Sequence, residues 1–333
     1  MSKDGLDALT AERRESVRSA LTSTFGSAPP RAITRVAGGA SGASTFRIEF
    51  DHRRFLLRVE GEPSPLRNPH QYVSLRIAAE AGIGPGIHYI DETAGVALMD
   101  FIEQRPLQSY PGGQRALAQA LGELLSRVQA TPVFPYFVRY PDIVARLFAH
   151  VCRTGLFAPG VLDRYVERLE VVRRAYDAGS TVLLSSHNDS IPSNILFDGE
   201  RLWLIDWESA YRNDPLVDVA IMLDNLARSR ELEEVLLGAW HGRSPDEGLR
   251  ARLEVVRGLT RLYYAGVLLS ASAAASWVSG DRDLSASTAD DFEQAIRAGR
   301  LKPGAPETKH VLGKMFLASF LSGASPPGFH AAV

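Results

Sequence analysis

The segment His187-Asn188-Asp189-Ser190-Ile191-Pro192-Ser193-Asn194 concentrates polar side chains in one loop, and Asp206 follows twelve residues after Asn194 at the end of the apolar run Leu202 to Ile205. Phosphoryl transfer to an alcohol needs a carboxylate beside the attacking hydroxyl and oxygen ligands for magnesium on the nucleotide phosphates. If the loop and the strand end converge, Asp189 supplies the first, and Asn194 with Asp206 the second. A lone Asp or Asn in a loop more often caps a turn. The three at this spacing favour the phosphoryl-transfer reading.

A second constellation suits the same chemistry. Gly38-Gly39-Ala40-Ser41-Gly42 lies between two strand-like runs, and such small residues let backbone amides approach phosphate oxygens. It is neither a P-loop, since no Gly-Lys-Ser/Thr follows, nor a dinucleotide fingerprint. Arg58 lies on the next run, where a guanidinium can grip phosphate oxygens in bidentate fashion. The only lysines are Lys3, Lys302, Lys309 and Lys314, so every fixed cation between residues 4 and 301 is an arginine.

The elements that must position these groups are legible from periodicity. Ala32 to Val36, Thr45 to Phe50 and Arg54 to Val59 alternate as strands, the last two around the turn Asp51-His52-Arg53. Asn68-Pro69 reads as the start of a helix to about Ala81, stopped by Gly82. Ile87 to Ile90 and Val96 to Met99 read as two more strands. From Gln114 the spacing is helical through Ala116 to Val128, Ile143 to Val151 and Val161 to Tyr176. Strand character returns at Thr181 to Leu184, Ile195 to Phe197 and Leu202 to Ile205, and beyond Asp214 the pattern is helical, with Tyr263 to Val278 as a buried helix.

His-x-Asp-x-x-x-x-Asn with a later Ile205-Asp206-Trp207-Glu208 resembles the catalytic and metal-binding motifs of the aminoglycoside phosphotransferase and choline/ethanolamine kinase superfamily, small-molecule relatives of the protein kinases. The likeness runs from about residue 30 to 270. With Asn213-Asp214-Pro215-Leu216-Val217-Asp218 it is similar to bacterial choline-kinase-like members in particular. The resemblance implies an α+β, two-lobed protein-kinase-like fold with a small antiparallel sheet plus helix N-lobe and a larger, mainly helical C-lobe. Residues 1–29 are then an N-terminal helical extension, 30–101 the nucleotide-binding N-lobe and 102–333 the catalytic and acceptor-binding C-lobe. It implies ATP and Mg2+, with Asp189 as base, Asn194 and Asp206 as metal ligands, His187 as a loop organiser and Asp218 as a structural carboxylate. Gly38, Gly39, Ser41, Gly42 and Arg58 would hold phosphates, and Met99 to Glu103, with Met99 and Phe101, would be the adenine-binding hinge. Gln71 aligns where this pattern has a glutamate that pairs with the phosphate-binding cation. A glutamine can hydrogen-bond a guanidinium but cannot neutralise it, and Glu60, Glu62 or Glu80 are the alternatives.

The twelve steps of sequence from Asp206 to Asp218 are too few for a peptide-holding activation segment, so the expected acceptor is a small alcohol. Choline or an ethanolamine-like molecule heads the expectation. An aminoglycoside or other antibiotic, a sugar, a homoserine-type amino acid, or a catalytically silent binding module are the alternatives. A quaternary ammonium needs aromatic faces and a carboxylate, and Trp207, Glu208, Tyr211, Tyr263, Tyr264 and Trp277 are the candidates. Each helical aromatic is more often core than cage.

Composition sets the outer bounds. The chain has 333 residues, 45% hydrophobic and 23% charged, with 37 basic and 39 acidic side chains and a formal net charge of -2. That charge offers no field to draw in nucleic acid or an anionic membrane. Cys152 is the only cysteine, which excludes an internal disulfide and a thiolate metal centre and fits a cytoplasmic setting. No signal peptide or membrane span is expected. Oligomeric state is not legible.

Overall fold

The computed structural model describes residues 6, 9–36, 42–61, 68–179, 181–227, 229–276 and 278–323. Gly38, Gly39 and Ser41 of the glycine run, Glu62 and the acceptor candidate Trp277 lie outside the described residues. The chain forms two compact units, 1–109 with 195–210, and 110–194 with 211–333. The linear reading put the boundary at residues 101/102 and left everything beyond it in one lobe. The segment 195–210 instead returns to the first unit, because the Arg105 N–H donates to the Phe197 carbonyl and the Leu204 N–H to that of Ile83.

In the first unit, α1 (Ala11–Phe25) begins at Thr10, whose hydroxyl accepts the Arg13 N–H at 3.3 Å. Strands β1 (Ala32–Val36), β2 (Ser44–Phe50) and β3 (Arg53–Val59) follow, then helix α2 (Gln71–Glu80) and strands β4 (Ile87–Asp91) and β5 (Val96–Asp100). The sheet is antiparallel in the order β1-β2-β3-β5-β4. The period of two puts Phe46 and Ile48 on the same face as Phe55, Leu57 and Val59, and this face is buried against Val17, Ala20 and Leu21 of α1. At about 1.5–3 kcal/mol per buried large apolar side chain, this is the principal packing of the unit. Helix α1 is therefore part of the core rather than an extension. Asp51 and His52 turn the β2–β3 hairpin at φ 45° and 64°.

Asn68 does not cap α2 as its type suggested. Its Oδ1 accepts the His70 N–H at 2.9 Å and its Nδ2 donates to the Ala210 carbonyl at 2.7 Å, which also accepts the Ser74 hydroxyl at 2.8 Å. The helix begins at Gln71, with His70 in the capping position and no side-chain cap.

The second unit contains α3 (Gly113–Gln129), α4 (Tyr140–Arg153), α5 (Asp163–Asp177) and strand β6 (Leu184–Ser186). In the returning segment of the first unit lie β7 (Ile195–Phe197) and β8 (Leu202–Leu204), a hairpin of their own. Strand β9 (Tyr211–Asn213) then pairs antiparallel with β6. Helices α6 (Leu216–Leu226), α7 (Arg230–His241), α8 (Glu247–Ala274), α9 (Ala289–Arg297) and α10 (Pro306–Ser322) complete the unit. Helix α8 is its spine, packed by α4, α5, α6 and α10. The strand expected at Thr181 to Leu184 is displaced to the polar Leu184–Ser186. Val182 is 77% exposed, whereas Ser185 and Ser186 are fully buried by the pairing with β9. No described helix is long and apolar enough to cross a membrane.

Helices α3 and α7 approach at Gly122, where a Cβ would lie 2.9 Å from both the Ala239 Cβ and the Trp240 nitrogen. Gly122→Ala is expected to cost about 1–3 kcal/mol through overpacking and to lower the thermal midpoint measurably. An unchanged melting curve would mean that the two helices are not in close contact.

Candidate active site

In the second unit, the chain leaves β6 at Ser186 and turns through His187, Asn188 and Asp189 toward the short 3₁₀ turn Pro192–Asn194. Asp218, fully buried in the first turn of α6, dictates this turn. Its Oδ2 accepts the His187 N–H and its Oδ1 the Asn188 N–H, each at 2.8 Å, and the Ser190 hydroxyl donates to its carbonyl at 3.2 Å. Burial raises the Asp218 carboxyl above the ordinary range, opposed by His187 and these hydrogen bonds. Asn188 stands at φ 64°, a left-handed conformation costing roughly 1–2 kcal/mol that Asn adopts more readily than most residues. Its Nδ2 donates to the carbonyls of Ser186 (3.2 Å) and Tyr211 (3.3 Å), and its Oδ1 accepts from Asn213 Nδ2 at 2.6 Å. His187 is fully buried and joins this turn through its backbone N–H.

That frame holds Asp189 half-buried. Its Oδ2 and its carbonyl both accept from Asn194 Nδ2 at 2.9 Å, and its Oδ1 accepts the Tyr264 hydroxyl at 2.9 Å. Both oxygens facing the Asn194 amide can only accept, so its nitrogen is turned to Asp189 and its Oδ1 is the end left to meet a cation. Burial, reinforced by the Asp189 charge, pushes the Tyr264 phenol well above its usual value, so it remains a proton donor.

Of the aromatic candidates, Tyr263 lies edge-on to Tyr264 with centroids 5.5 Å apart and stands 5.8 Å from Tyr140. Tyr211 is buried, edge-to-face with Phe137 at 5.6 Å. Tyr140 was not among the residues singled out from sequence. Its place at the start of α4 ahead of Pro141 marks a helix boundary but not the face it presents. It is 2% exposed, and its hydroxyl has no hydrogen-bond partner among the described residues.

In the first unit, the β3 guanidinium of Arg58 is surrounded by carboxylates. Nε donates to Glu60 Oε1 at 3.0 Å, one Nη to Asp206 Oδ1 at 2.7 Å, and the other Nη to Glu208 Oε2. Burial opposes the Arg58 charge, but Asp206, Glu60 and Glu208 outweigh it and hold the group firmly protonated. Burial, together with the Asp206 charge, raises the Glu208 carboxyl. Asp206 sits at φ 63°, ψ 62°, the second strained residue among the candidates, ahead of the 3₁₀ turn Trp207–Ser209. Gln71 does not take the expected part. It is buried at the start of α2 with no hydrogen bond to Arg58 among the described contacts, and Glu60, two residues on and just past the end of β3, holds the cation instead. Trp207 is 4% exposed, donates its indole N–H to the Leu204 carbonyl at 3.0 Å and packs on Gly84. This is a packing role rather than a ring face open to a ligand.

Gly42, the described end of the glycine run, lies so close to Gly61 that a Cβ on Gly61 would collide with the Gly42 carbonyl. Met99 is buried in β5 opposite Leu56, and the Phe101 N–H donates to the Arg54 carbonyl at 3.3 Å. No group of three or more His, Cys, Asp or Glu side chains placed to hold a metal occurs among the described residues. Magnesium bound to a nucleotide needs only one or two carboxylates beside phosphates and waters. Three carboxylates around one guanidinium leave a negative surplus that such a cation fits.

The chain belongs to the phosphotransferase enzyme family, which matches residues 32–255. It is 25% identical over 190 residues to Protein LicA of Haemophilus influenzae, covering 55% of this chain and 70% of that one. Its fold resembles a choline/ethanolamine kinase family protein from Mesorhizobium loti (TM-score 0.65, 22% identity, 91% of this chain and 99% of that one). It also resembles choline kinase LicA from Streptococcus pneumoniae (TM-score 0.64, 14% identity, 93% and 100%). A structure of LicA in complex with AMP is similar to the same degree (TM-score 0.63, 14% identity, 92% and 98%). The protein-kinase-like α+β fold and the phosphotransferase class expected from the loop motifs both hold.

Asp218→Asn would turn an amide NH2 toward one of the two backbone N–H groups that the carboxylate now accepts. It is expected to destabilise the protein by about 1–3 kcal/mol, read as a lower denaturation midpoint, and to lower turnover. Wild-type stability and turnover together would remove the carboxylate from its organising role.

Proposed function

We propose that the protein transfers the γ-phosphoryl group of ATP to the hydroxyl of a small alcohol, with choline or an ethanolamine-like molecule as the acceptor. The observation that carries this reading is the Asp189 carboxylate, fixed on both oxygens by Asn194 and Tyr264 on a loop clamped by Asp218. Asp189 accepts the acceptor's hydroxyl proton as that oxygen bonds to the γ-phosphorus, and ADP leaves with the electrons of the broken bond. Asn194 and Asp206 would hold Mg2+, which when bound would neutralise charge on the phosphates. Arg58, with the glycine run, holds phosphate oxygens, and the backbone about Met99 and Phe101 receives the adenine. Catalysis on this account is mostly positioning and electrostatic stabilisation.

The tyrosines near Asp189 favour the ammonium-bearing acceptor. A cation over a tyrosine face gains roughly 0.5–2 kcal/mol, and Tyr263, half-buried between Tyr140 and Tyr264, offers such a face. The similar choline and ethanolamine kinases support the same choice. A single cysteine suits a reducing compartment, and the cytoplasm is the setting this reading gives the reaction.

Asp189→Asn is expected to lower kcat by about 10² to 10⁴ while leaving ATP affinity within about twofold. Retained turnover would reject Asp189 as base. A coupled ADP-release assay over choline, ethanolamine, kanamycin, a macrolide, sugars and homoserine is expected to give its highest kcat/KM with choline or ethanolamine. Preference for another acceptor would overturn the acceptor assignment, and no ADP release with any of them would favour a silent module.

A further inference from the structure

We propose that Arg13, on the N-terminal helix α1, is a positioning residue for the nucleotide, acting through Glu60 on the Arg58 guanidinium. The inference rests on the reading of Arg58 as a phosphate ligand. The observation behind it is local. Where β3 leaves the sheet after Val59, the Arg13 guanidinium donates one Nη to the Glu60 carbonyl and the other to the Gly61 carbonyl, the latter at 3.1 Å. The preceding peptide is held as well, the Glu60 N–H donating to the Gly95 carbonyl at 2.8 Å, so the backbone of Glu60 is fixed on both sides of its Cα. Glu60 itself is 7% exposed and accepts Arg58 Nε at 3.0 Å.

Two consequences follow from this fork. First, the carboxylate that orients Arg58 hangs from a backbone whose carbonyl is fixed by a residue 47 positions away on another element. Protein-kinase-like folds give that task to a helix glutamate, and here the α2 position is Gln71. Strand and N-terminal helix therefore share the work, and α2 need not contact the cation. Second, Gly61 abuts the Gly42 carbonyl with no room for a Cβ. A displacement of the 60–61 peptides would move the end of the glycine run together with the Arg58 partner. A guanidinium suits this position because its rigid fork spans two successive carbonyls, which a lysine ammonium meets less well.

The test compares Arg13→Ala, Arg13→Lys, Arg18→Ala and Arg58→Lys in the full chain, by equilibrium binding of Mg·ATP, steady-state kinetics and thermal melting. Arg18 is an exposed residue of the same helix paired only with Glu15 among described contacts. The expected result is an ATP dissociation constant and KM raised about tenfold in Arg13→Ala with kcat within about twofold, an intermediate value in Arg13→Lys, and wild-type values in Arg18→Ala. Unchanged ATP affinity in Arg13→Ala alongside weakened binding in Arg58→Lys would overturn the proposal and leave the reading of Arg58 standing. A lower melting point with unaltered ATP affinity would equally overturn it, as a purely structural role. If Arg13→Ala does not fold, Arg13→Lys decides, and wild-type ATP affinity there with a folded protein overturns the proposal. Wild-type ATP affinity in Arg58→Lys would instead defeat the phosphate-ligand reading on which it rests.

Discussion

The candidate site depends on one buried carboxylate that performs no chemistry itself. Asp218 receives two consecutive backbone N–H groups, those of His187 and Asn188. These amides would otherwise be buried without partners, at about 1–3 kcal/mol each. With both satisfied, Asn188 can occupy a left-handed conformation, and the chain reverses so that the next residue, Asp189, emerges from the core half-buried. Asn188 then ties the loop to β6 and β9 through its amide, so the loop is held at both backbone and side chain. A base that must meet a hydroxyl within hydrogen-bond distance needs this rigidity more than an unusual proton affinity.

The first unit solves a different electrostatic problem. Arg58 is a buried cation, and burial alone disfavours its charge. Glu60, Asp206 and Glu208 more than compensate, since a buried ion survives only when paired and hydrogen-bonded. The carboxylates outnumber the cation they surround, so the cluster carries a negative surplus. Removing any one partner would leave the others unbalanced, so the cluster acts as a unit in which the effects of single substitutions will not add.

Much of this was legible in the sequence, for identifiable reasons. The strands about Phe46, Ile48, Phe55, Leu57 and Val59 announce themselves because one face alone is buried. The loop motif is readable because Asp189, Asn194 and Asp206 are residue types that phosphoryl transfer demands. What escaped were contacts between distant segments. Nothing in the local pattern around Arg13 says that it grips residues 60–61. Gln71 aligns by helix position, but the cation's partner lies only two residues away in sequence, just past the end of β3. Strand β6 hides in Ser185 and Ser186, polar residues that pair with β9 and of which Ser185 also hydrogen-bonds Pro132 and Phe134, while the apolar Val182 is exposed. Tyr140 looked like a helix boundary and its neighbours became visible only with α8 packed against α4.

The most direct test is a double-mutant cycle on turnover between Asp218→Asn and Asp189→Asn, measured under conditions where each variant is folded. If Asp218 acts by presenting Asp189, the double variant turns over no more slowly than Asp189→Asn alone. Losses that multiply would contradict the account, because Asp218 would then contribute to the reaction independently of Asp189.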